Sequence, residues 1–304
     1  MTKILVTDGI EKSAASALQE KGFEITEKCC TPEALKDEIR EYDAIIIRSA
    51  TKLTQEIIEC ARETGNLSLI VRGGVGVDNI DVACARKNGI TVCNTPCASS
   101  LAVAELTIGH IFSLARKMYI ANTSMHAGSW DKKKLEGIEV AGKTLGLIGF
   151  GHIAREVARL AAAIGMKVIY FTRSGKKEGY DQFEYVPMDE LLRRSDFISL
   201  HIPFDKAAGA LISEKEFAMM KDGVYLINCA RGGVVKEDAL LAALDSGKVA
   251  AAAIDVFEQE PTRNERLYTH DKVCLTPHIG ASTIEAQQKI GAEIVDIVND
   301  FFTK

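Results

Sequence analysis

The chain has 304 residues, of which 47% are hydrophobic and 26% are charged, and its formal net charge is −5 at pH 7. This is the composition of a globular protein, and the length allows two domains that each bury a core. The negative net charge gives no reason to expect nucleic acid or an anionic membrane as a partner.

Apolar runs in the sequence stay short of the length that crosses a bilayer, and the first residues lack the pattern of a signal peptide. The eight cysteines have neither C-x-x-C spacing nor histidines at zinc-finger distances. We therefore expect a cytoplasmic protein with reduced thiols, without a disulfide framework and without a bound metal.

Strands and helices are predicted to alternate along the whole chain. Strands are predicted at 4–7, 23–26, 44–48, 67–71, 91–94, 145–148, 167–171, 197–200, 224–228, 249–256 and 273–276. One long apolar helix is predicted from about Leu101 to Met125, and a last amphipathic helix from Thr283 to Phe302. This alternation predicts an α/β protein with doubly wound, Rossmann-like parallel sheets, in which a smaller domain precedes a larger one.

A glycine turn follows the predicted strand 145–148. Gly149 allows the turn, Gly151 lets the backbone approach a pyrophosphate, and Ala154 lets the next helix pack close to the strand. The N-terminus of that helix offers free N–H groups to the phosphates. Because the motif lies within a strand–turn–helix unit, it predicts a dinucleotide site at this position.

Three polar residues are predicted to follow three neighbouring strands: Arg231, Glu260 and His278. Ligands of open α/β sheets collect at the carboxyl ends of strands. A histidine can exchange the proton of a 2-hydroxy acid, a carboxylate can orient it, and an arginine can bind the substrate carboxylate. The histidines at 110, 126, 152, 201 and 270 show no such partners. Of these, His110 and His126 are expected to be ordinary helix residues.

These residues make the chain resemble the D-isomer-specific 2-hydroxyacid dehydrogenases over essentially its full length. The resemblance lies in Asn228-Cys-Ala-Arg-Gly-Gly233, Asp255-Val-Phe-Glu-Gln-Glu-Pro261 and Thr276-Pro-His-Ile-Gly280. It implies that Arg231, Glu260 and His278 are the catalytic residues. It also implies a discontinuous substrate domain of residues 1–98 and 283–304 around a dinucleotide domain of residues 99–282.

The same resemblance implies a homodimer formed through the dinucleotide domain with help from the helix at 99–126. Longer relatives append a serine-sensing module, and feedback through such a module is expected to be absent here.

Within the family, the chain is most similar to the branch that oxidises 3-phosphoglycerate, through segments 47–54, 72–81, 128–134 and 278–287. A substrate with a phosphate and a carboxylate needs two cationic clamps. Arg48 and Arg72, with Lys132–Lys134, are expected at the phosphate, although the lysine run can equally be a solvated surface. The carboxylate is expected at Arg231 and the backbone of Gly73, Gly74 and Val75.

The cofactor is expected to be NAD(H) or NADP(H). Where NAD-dependent folds place an acidic residue on the ribose, this chain has Thr172 followed by Arg173, so a 2′-phosphate would meet no negative charge. NADP(H) acceptance and simple NAD binding both stay open. The expected cofactor contacts are Val75, Gly149, Gly151, His152, Ile153, Thr172, Arg173, Ile202, Cys229, Ala230, Asp255, Gly280 and Ala281.

Two other functions compete with oxidation of 3-phosphoglycerate. The first is an NADPH-dependent glyoxylate or hydroxypyruvate reductase, which Thr172 and Arg173 favour. The second is a non-catalytic dinucleotide sensor that binds a protein partner, against which the complete set of Arg231, Glu260 and His278 argues.

Overall fold

A computed structural model describes residues 1–303. The described chain divides into two compact units, one made of residues 1–99 and 281–303 and the other of residues 100–280. The predicted divisions, by comparison, lie after residues 98 and 282. Within residues 1–303, no helix is long and apolar enough to cross a membrane.

The strands are β1 Lys3–Val6, β2 Glu24–Glu27, β3 Ala44–Ile47, β4 Leu69–Arg72, β5 Thr91–Asn94, β6 Thr144–Ile148, β7 Lys167–Phe171, β8 Glu184–Tyr185, β9 Phe197–Leu200, β10 Val224–Asn228, β11 Val249–Ile254 and β12 Val273–Leu275. The helices are α1 Lys12–Glu20, α2 Pro32–Glu38, α3 Gln55–Thr64, α4 Val82–Lys87, α5 Ser100–Ala115, α6 Met118–His126, α7 His152–Ala163, α8 Met188–Arg194, α9 Glu214–Met219, α10 Glu237–Asp245, α11 Glu265–Tyr268 and α12 Ile284–Thr303. Short 3₁₀ turns lie at Ile39–Glu41 and Lys132–Lys134.

The first unit is built on a parallel sheet of residues 1–99 with strand order β2-β1-β3-β4-β5. The strands β3 and β4 are buried along their whole length, as expected for a parallel sheet covered on both faces. The helix α12 packs on α1 and β4, and its Ile290 and Ile294 join the core of this unit. The C-terminal helix therefore completes the unit that the N-terminal residues begin.

The second unit is built on a parallel sheet of residues 144–275 with order β12-β11-β10-β9-β6-β7-β8. The strand β6 lies between β7 and β9, so the direction of winding reverses beside the end of β6. One apolar core contains residues of α5 and α7. The other contains residues of α8 and α10. Such a reversal point is where dinucleotides bind in doubly wound sheets. The predicted fold class, with two parallel-sheet α/β domains, is confirmed.

The single helix predicted from Leu101 to Met125 is wrong, because α5 ends at Ala115 and α6 starts at Met118. Between them Lys117 has a φ of 51°, a left-handed conformation that ends a helix. The carbonyl of Ala115 instead accepts a hydrogen bond from the Ile138 N–H, at 2.8 Å. A contact with a distant loop thus ends α5, and the short edge strand β8 was likewise not predicted.

Candidate active site

The glycine turn after β6 has the shape that a dinucleotide pyrophosphate requires. Gly149 has a φ of 93°, and a Cβ atom there would lie 2.3 Å from the His201 carbonyl oxygen. At Gly151, by contrast, a Cβ atom would meet nothing within 4 Å. Gly149 is therefore needed by the fold itself, while Gly151 leaves its surroundings open for a ligand.

The first turn of α7 can receive an anion. Gly151 precedes the helix, and within the described residues no side chain caps its N-terminal N–H groups. His152 is exposed and Ile153 is half-buried, so both predicted contact residues lie in this first turn. Unsatisfied N–H groups and the helix dipole together attract phosphate, and the residues present fit a pyrophosphate at this position.

The loop after β7 carries the predicted ribose contacts. The Thr172 hydroxyl lies 3.0 Å from the Ser174 hydroxyl, and Arg173 is exposed. The buried Tyr170 organises this loop by accepting a hydrogen bond from the Lys177 N–H at 2.9 Å, and its ring stacks on Phe150. Hydroxyl groups and an arginine thus stand where many NAD-binding folds have a carboxylate.

Glu260 and His278 form a hydrogen-bonded pair. The Nδ1 atom of His278 lies 2.7 Å from Oε2 of Glu260, and Oε1 accepts the Phe257 N–H at 3.1 Å. Because an ionised carboxylate only accepts, Nδ1 carries the proton, which leaves Nε2 to exchange a proton with a ligand.

The electrostatics keep this pair intact over a wide pH range. Partial burial acts to raise the pKa of Glu260, but the hydrogen bond and charge of His278, the Phe257 N–H and the charge of Arg231 outweigh it and lower the pKa. Glu260 therefore stays ionised below the ordinary carboxyl range, and the pair breaks only as the pH falls through that lowered value.

Arg231 belongs to a loop that the Asn228 side chain holds at the end of β10. The Asn228 amide donates to the Arg231 carbonyl at 3.0 Å and its oxygen accepts the Ala230 N–H at 3.1 Å. The next residue, Gly232, packs so closely on the Phe257 carbonyl that a Cβ atom would lie 1.6 Å from its oxygen. This contact joins the Arg231 loop to the segment that precedes Glu260.

The other residues that were predicted on this sheet edge differ in exposure. Ile202 and Ala230 are half-buried, while Cys229, Asp255 and Gly280 are buried. Burial raises the pKa of the Cys229 thiol, so this cysteine stays protonated and packs in the core.

His110 makes polar contacts that were not predicted from the sequence. It lies on α5, but its Nε2 atom is 3.2 Å from the Thr276 hydroxyl, which in turn donates to Asp255 at 2.6 Å. His110 is a helix residue, as expected, but these polar contacts were not predicted. Its partners Cys274 and Thr276 are 164 and 166 positions away in the sequence, so local periodicity carried no signal of them.

The first unit holds the other predicted substrate residues. The half-buried Arg48 follows β3, and its N–H donates to the Asp8 carboxylate at 2.7 Å while its carbonyl accepts from the Asn79 amide at 2.7 Å. Arg72 ends β4 and is buried, and its guanidinium covers Gly74, where a Cβ atom would lie 1.8 Å from Nη1. The side chains of Asp8 and Asn79 therefore fix the backbone of Arg48.

The glycine segment of this unit is fixed by its neighbours. Gly73 donates its N–H to the Ile47 carbonyl at 2.9 Å and packs against α12, and the Val75 carbonyl accepts from the Asn94 amide at 2.5 Å. Ala281 also falls in this unit. The lysines of the 3₁₀ turn at Lys132–Lys134 are exposed, and Lys134 pairs with Asp131 at 3.1 Å.

A glycine turn at the reversal point of a parallel sheet, with a histidine–carboxylate pair on the same unit, is typical of nicotinamide-dependent oxidoreductases. Among residues 1–303, no group of three or more histidine, cysteine or acidic side chains is placed to hold a metal ion.

Comparison with known proteins gives the family. The model of the D-isomer specific 2-hydroxyacid dehydrogenase NAD-binding domain matches residues 108–280. The hydroxypyruvate reductase of Thermotoga maritima is 46% identical over 298 residues, which are 97% of this chain and 96% of that protein. The D-3-phosphoglycerate dehydrogenase of Methanocaldococcus jannaschii is 44% identical over 299 residues, 97% of this chain but 56% of that protein. A crystal structure of a glyoxylate reductase from Paecilomyes thermophila superposes with a TM-score of 0.90 at 34% identity, covering 98% of this chain and 94% of that one.

The chain belongs to the D-isomer-specific 2-hydroxyacid dehydrogenases. It is an oxidoreductase that acts on the CH–OH group of a 2-hydroxy acid and uses a nicotinamide dinucleotide. This excludes the alternative of a non-catalytic dinucleotide sensor.

Proposed function

We propose that the protein interconverts a three-carbon D-2-hydroxy acid that carries oxygen on C3 and the matching 2-keto acid. The proposal rests on one observation. The Nδ1 atom of His278 lies 2.7 Å from Oε2 of Glu260, on the sheet edge where the glycine turn also lies. Both curated relatives described above are named for substrates of this kind, hydroxypyruvate or 3-phosphoglycerate.

In this mechanism His278 is the general acid and base. With Nδ1–H held by Glu260, the Nε2 atom donates a proton to the carbonyl oxygen during reduction and removes the hydroxyl proton during oxidation. The carboxylate of Glu260 stabilises the charged imidazolium and keeps the ring in one orientation. The bound nicotinamide, when present, supplies the hydride to C2 or accepts it.

Arg231 is proposed to bind the substrate carboxylate and polarise the carbonyl group, because a guanidinium presents two parallel N–H donors to such oxygens. The backbone of Gly73, Gly74 and Val75, in the first unit, is proposed to offer N–H groups to a substrate anion. These roles are supported by residue type and by the rigid backbone around each residue.

The cofactor is proposed to lie with its pyrophosphate on the first turn of α7 and its ribose on Thr172. The exposed Arg173 is proposed to pair with a 2′-phosphate, so we expect NADP(H) to be accepted. We expect Arg173→Gln to lower kcat/KM for NADPH about tenfold or more and to leave NADH little changed, since one charge-assisted contact is lost. Negligible NADPH turnover by the unaltered protein would refute this part.

The choice between the two substrates depends on a phosphate clamp. Arg48, at the end of β3, is the residue we propose for the phosphate of 3-phosphohydroxypyruvate, the substrate that the sequence analysis favoured. The full-length match with a hydroxypyruvate reductase favours the unphosphorylated acid. The inward packing of Arg72 on Gly74 also favours it, since this guanidinium is largely removed from solvent.

Initial rates of NADH and NADPH oxidation with 3-phosphohydroxypyruvate, hydroxypyruvate and glyoxylate test the proposal. If kcat/KM is highest for the phosphorylated acid, Arg48→Gln should raise the KM for 3-phosphohydroxypyruvate and leave the KM for the other two keto acids unchanged. The control Lys52→Gln should change none of these KM values. If hydroxypyruvate leads, the phosphate clamp is wrong. If glyoxylate leads, the requirement for a C3 oxygen is wrong.

A homodimer through the second unit is proposed on the basis of its exposed apolar side chains. Met118, Met125 and Trp130 are 52%, 53% and 78% exposed. Apolar groups that lie together on a surface mark association sites. Sedimentation equilibrium should give twice the chain mass of 33.0 kDa, and a monomer at micromolar concentration would contradict this proposal.

A further inference from the structure

His278 adopts a backbone conformation that needs support from its surroundings. Its φ is 53°, in the left-handed region that residues other than glycine rarely occupy. Such a conformation persists only where neighbouring groups hold it. The segment that positions the imidazole must therefore be restrained by contacts other than its own preference.

The carboxylate of Asp255 provides this restraint. Asp255 is 1% exposed, and its Oδ1 accepts the Ile279 N–H at 2.9 Å while Oδ2 accepts the Gly280 N–H at 3.0 Å. These are the two residues that follow His278. A buried carboxylate at the end of β11 thus holds the backbone on the C-terminal side of the left-handed residue.

A second set of contacts runs from Asp255 back into α5. Its Oδ1 also accepts the Thr276 hydroxyl at 2.6 Å, and Nε2 of His110 lies 3.2 Å from that hydroxyl oxygen. Beyond it, the Cys274 sulfur lies 3.9 Å from Nδ1 of His110. The groups therefore form one chain from Cys274 through His110 and Thr276 to Asp255.

The chemistry of these four groups fixes the direction of every hydrogen bond between them. An ionised carboxylate only accepts, so the single hydroxyl proton of Thr276 is directed at Asp255. Thr276 must then accept from His110, which places the His110 proton on Nε2 and leaves Nδ1 to accept from the Cys274 thiol. Burial lowers the pKa of His110, with the charge of Asp255 acting in the opposite sense, so the ring is neutral at pH 7.

We propose that His110 and Thr276 are positioning residues for the reaction, which orient the Asp255 carboxylate so that it holds His278 in its left-handed conformation. This inference rests on the proposed role of His278 as general acid and base. It assigns a role to the interior of α5, which otherwise packs against β10, β11 and β12 as an ordinary core helix.

Two pairs of variants separate positioning from space filling. His110→Phe keeps the ring volume without the donor, whereas His110→Gln keeps an N–H donor. In the same way, Thr276→Val removes the hydroxyl group at similar volume, whereas Thr276→Ser keeps it. We expect His110→Phe and Thr276→Val to lower kcat about 10- to 100-fold, with KM for the keto acid changed little, because small displacements of a reacting group are costly. The Gln and Ser variants should recover most of the loss.

The isotope effect and the double mutant show whether the loss is in the chemical step. With NADH deuterated at the transferred position, the isotope effect on kcat should rise in His110→Phe if hydride transfer has become slower. The double variant His110→Phe/Thr276→Val should lose no more than the worse single variant, since both break one chain. Thr107→Val is the control, because its buried hydroxyl donates within α5, to the Val103 carbonyl.

The tautomer of His110 gives a readout that does not depend on activity. Long-range ¹H–¹⁵N correlation spectra, assigned by the signals lost in His110→Gln, should show a neutral ring protonated at Nε2. Protonation at Nδ1 would overturn the proposal, as would equal activity of the Phe and Gln variants. If these variants behave as unaltered protein while His278→Ala is inactive, the positioning chain is wrong. If His278→Ala is itself active, the proposed function is wrong.

Discussion

The two glycines of the turn after β6 are expected to fail in different ways when changed to alanine. A Cβ atom at Gly149 would lie 2.3 Å from the His201 carbonyl oxygen and 2.8 Å from Cγ2 of Ile202, at a φ of 93°. The conformational cost alone is about 1–3 kcal/mol, and the overlap forces the ends of β6 and β9 apart. Gly149→Ala should therefore lower the melting temperature of the cofactor-free protein by several degrees.

Gly151→Ala should leave the cofactor-free protein as stable as before. Its φ is −82°, which alanine adopts easily, and nothing lies within 4 Å of the added Cβ atom. The stability change is expected to stay within about 1 kcal/mol. The added methyl group does, however, occupy space that we assign to the pyrophosphate, so the Kd for NADH should rise about tenfold or more.

Thermal unfolding without cofactor and fluorescence titration with NADH measure the two effects separately. Equal destabilisation by both substitutions would refute the reasoning about the turn. Unaltered NADH affinity in Gly151→Ala would refute the placement of the pyrophosphate. Gly149→Ala serves as the matched comparison, since it adds the same methyl group two residues away.

Two further changes test the electrostatics. Glu260→Gln removes the carboxylate that accepts the Nδ1–H of His278 and orients the imidazole, so kcat for keto-acid reduction should fall about 10²-fold; an unchanged kcat would mean that Glu260 only fills space. Burial lowers the pKa of His201 in the folded state to about 3. Below pH 6.5 the His201 side chain therefore takes up a proton in the unfolded chain but stays neutral in the folded protein. The free energy of unfolding consequently decreases as the pH falls from 6.5 towards 3. From pH 6.5 to 5 the loss is about 1.6 kcal/mol, and His201→Gln should remove it in urea titrations of the cofactor-free protein. The exposed His126→Gln should keep the full loss, and an unchanged pH dependence in His201→Gln would contradict the argument.

The fold was predictable because its signals are local. Alternating apolar strands and helices, with a glycine turn between β6 and α7, specified two parallel sheets and the dinucleotide unit. The family resemblance came from short segments around Arg231, Glu260 and His278. The carboxyl ends of parallel strands meet at one sheet edge, so residues distant in sequence were expected to lie close together.

What could not be predicted depends on contacts between distant segments. The break between α5 and α6 depends on the hydrogen bond from Ile138 to Ala115, which has no counterpart in local propensity. The left-handed conformation of His278 likewise depends on Asp255, which follows β11, and the partner of His110 is Thr276, which follows β12. Sequence periodicity identified α5 as a buried helix, but it could not show which of its side chains make polar contacts.

The most direct test of the account is the turnover of His278→Ala with the best keto acid from the substrate panel, measured beside NADH binding. The account predicts that kcat falls about 10²–10⁴-fold, the usual contribution of a positioned acid and base, while the Kd for NADH stays within a few-fold of the unaltered protein. Turnover near that of the unaltered protein would contradict the central claim, because proton transfer would then not depend on the His278–Glu260 pair.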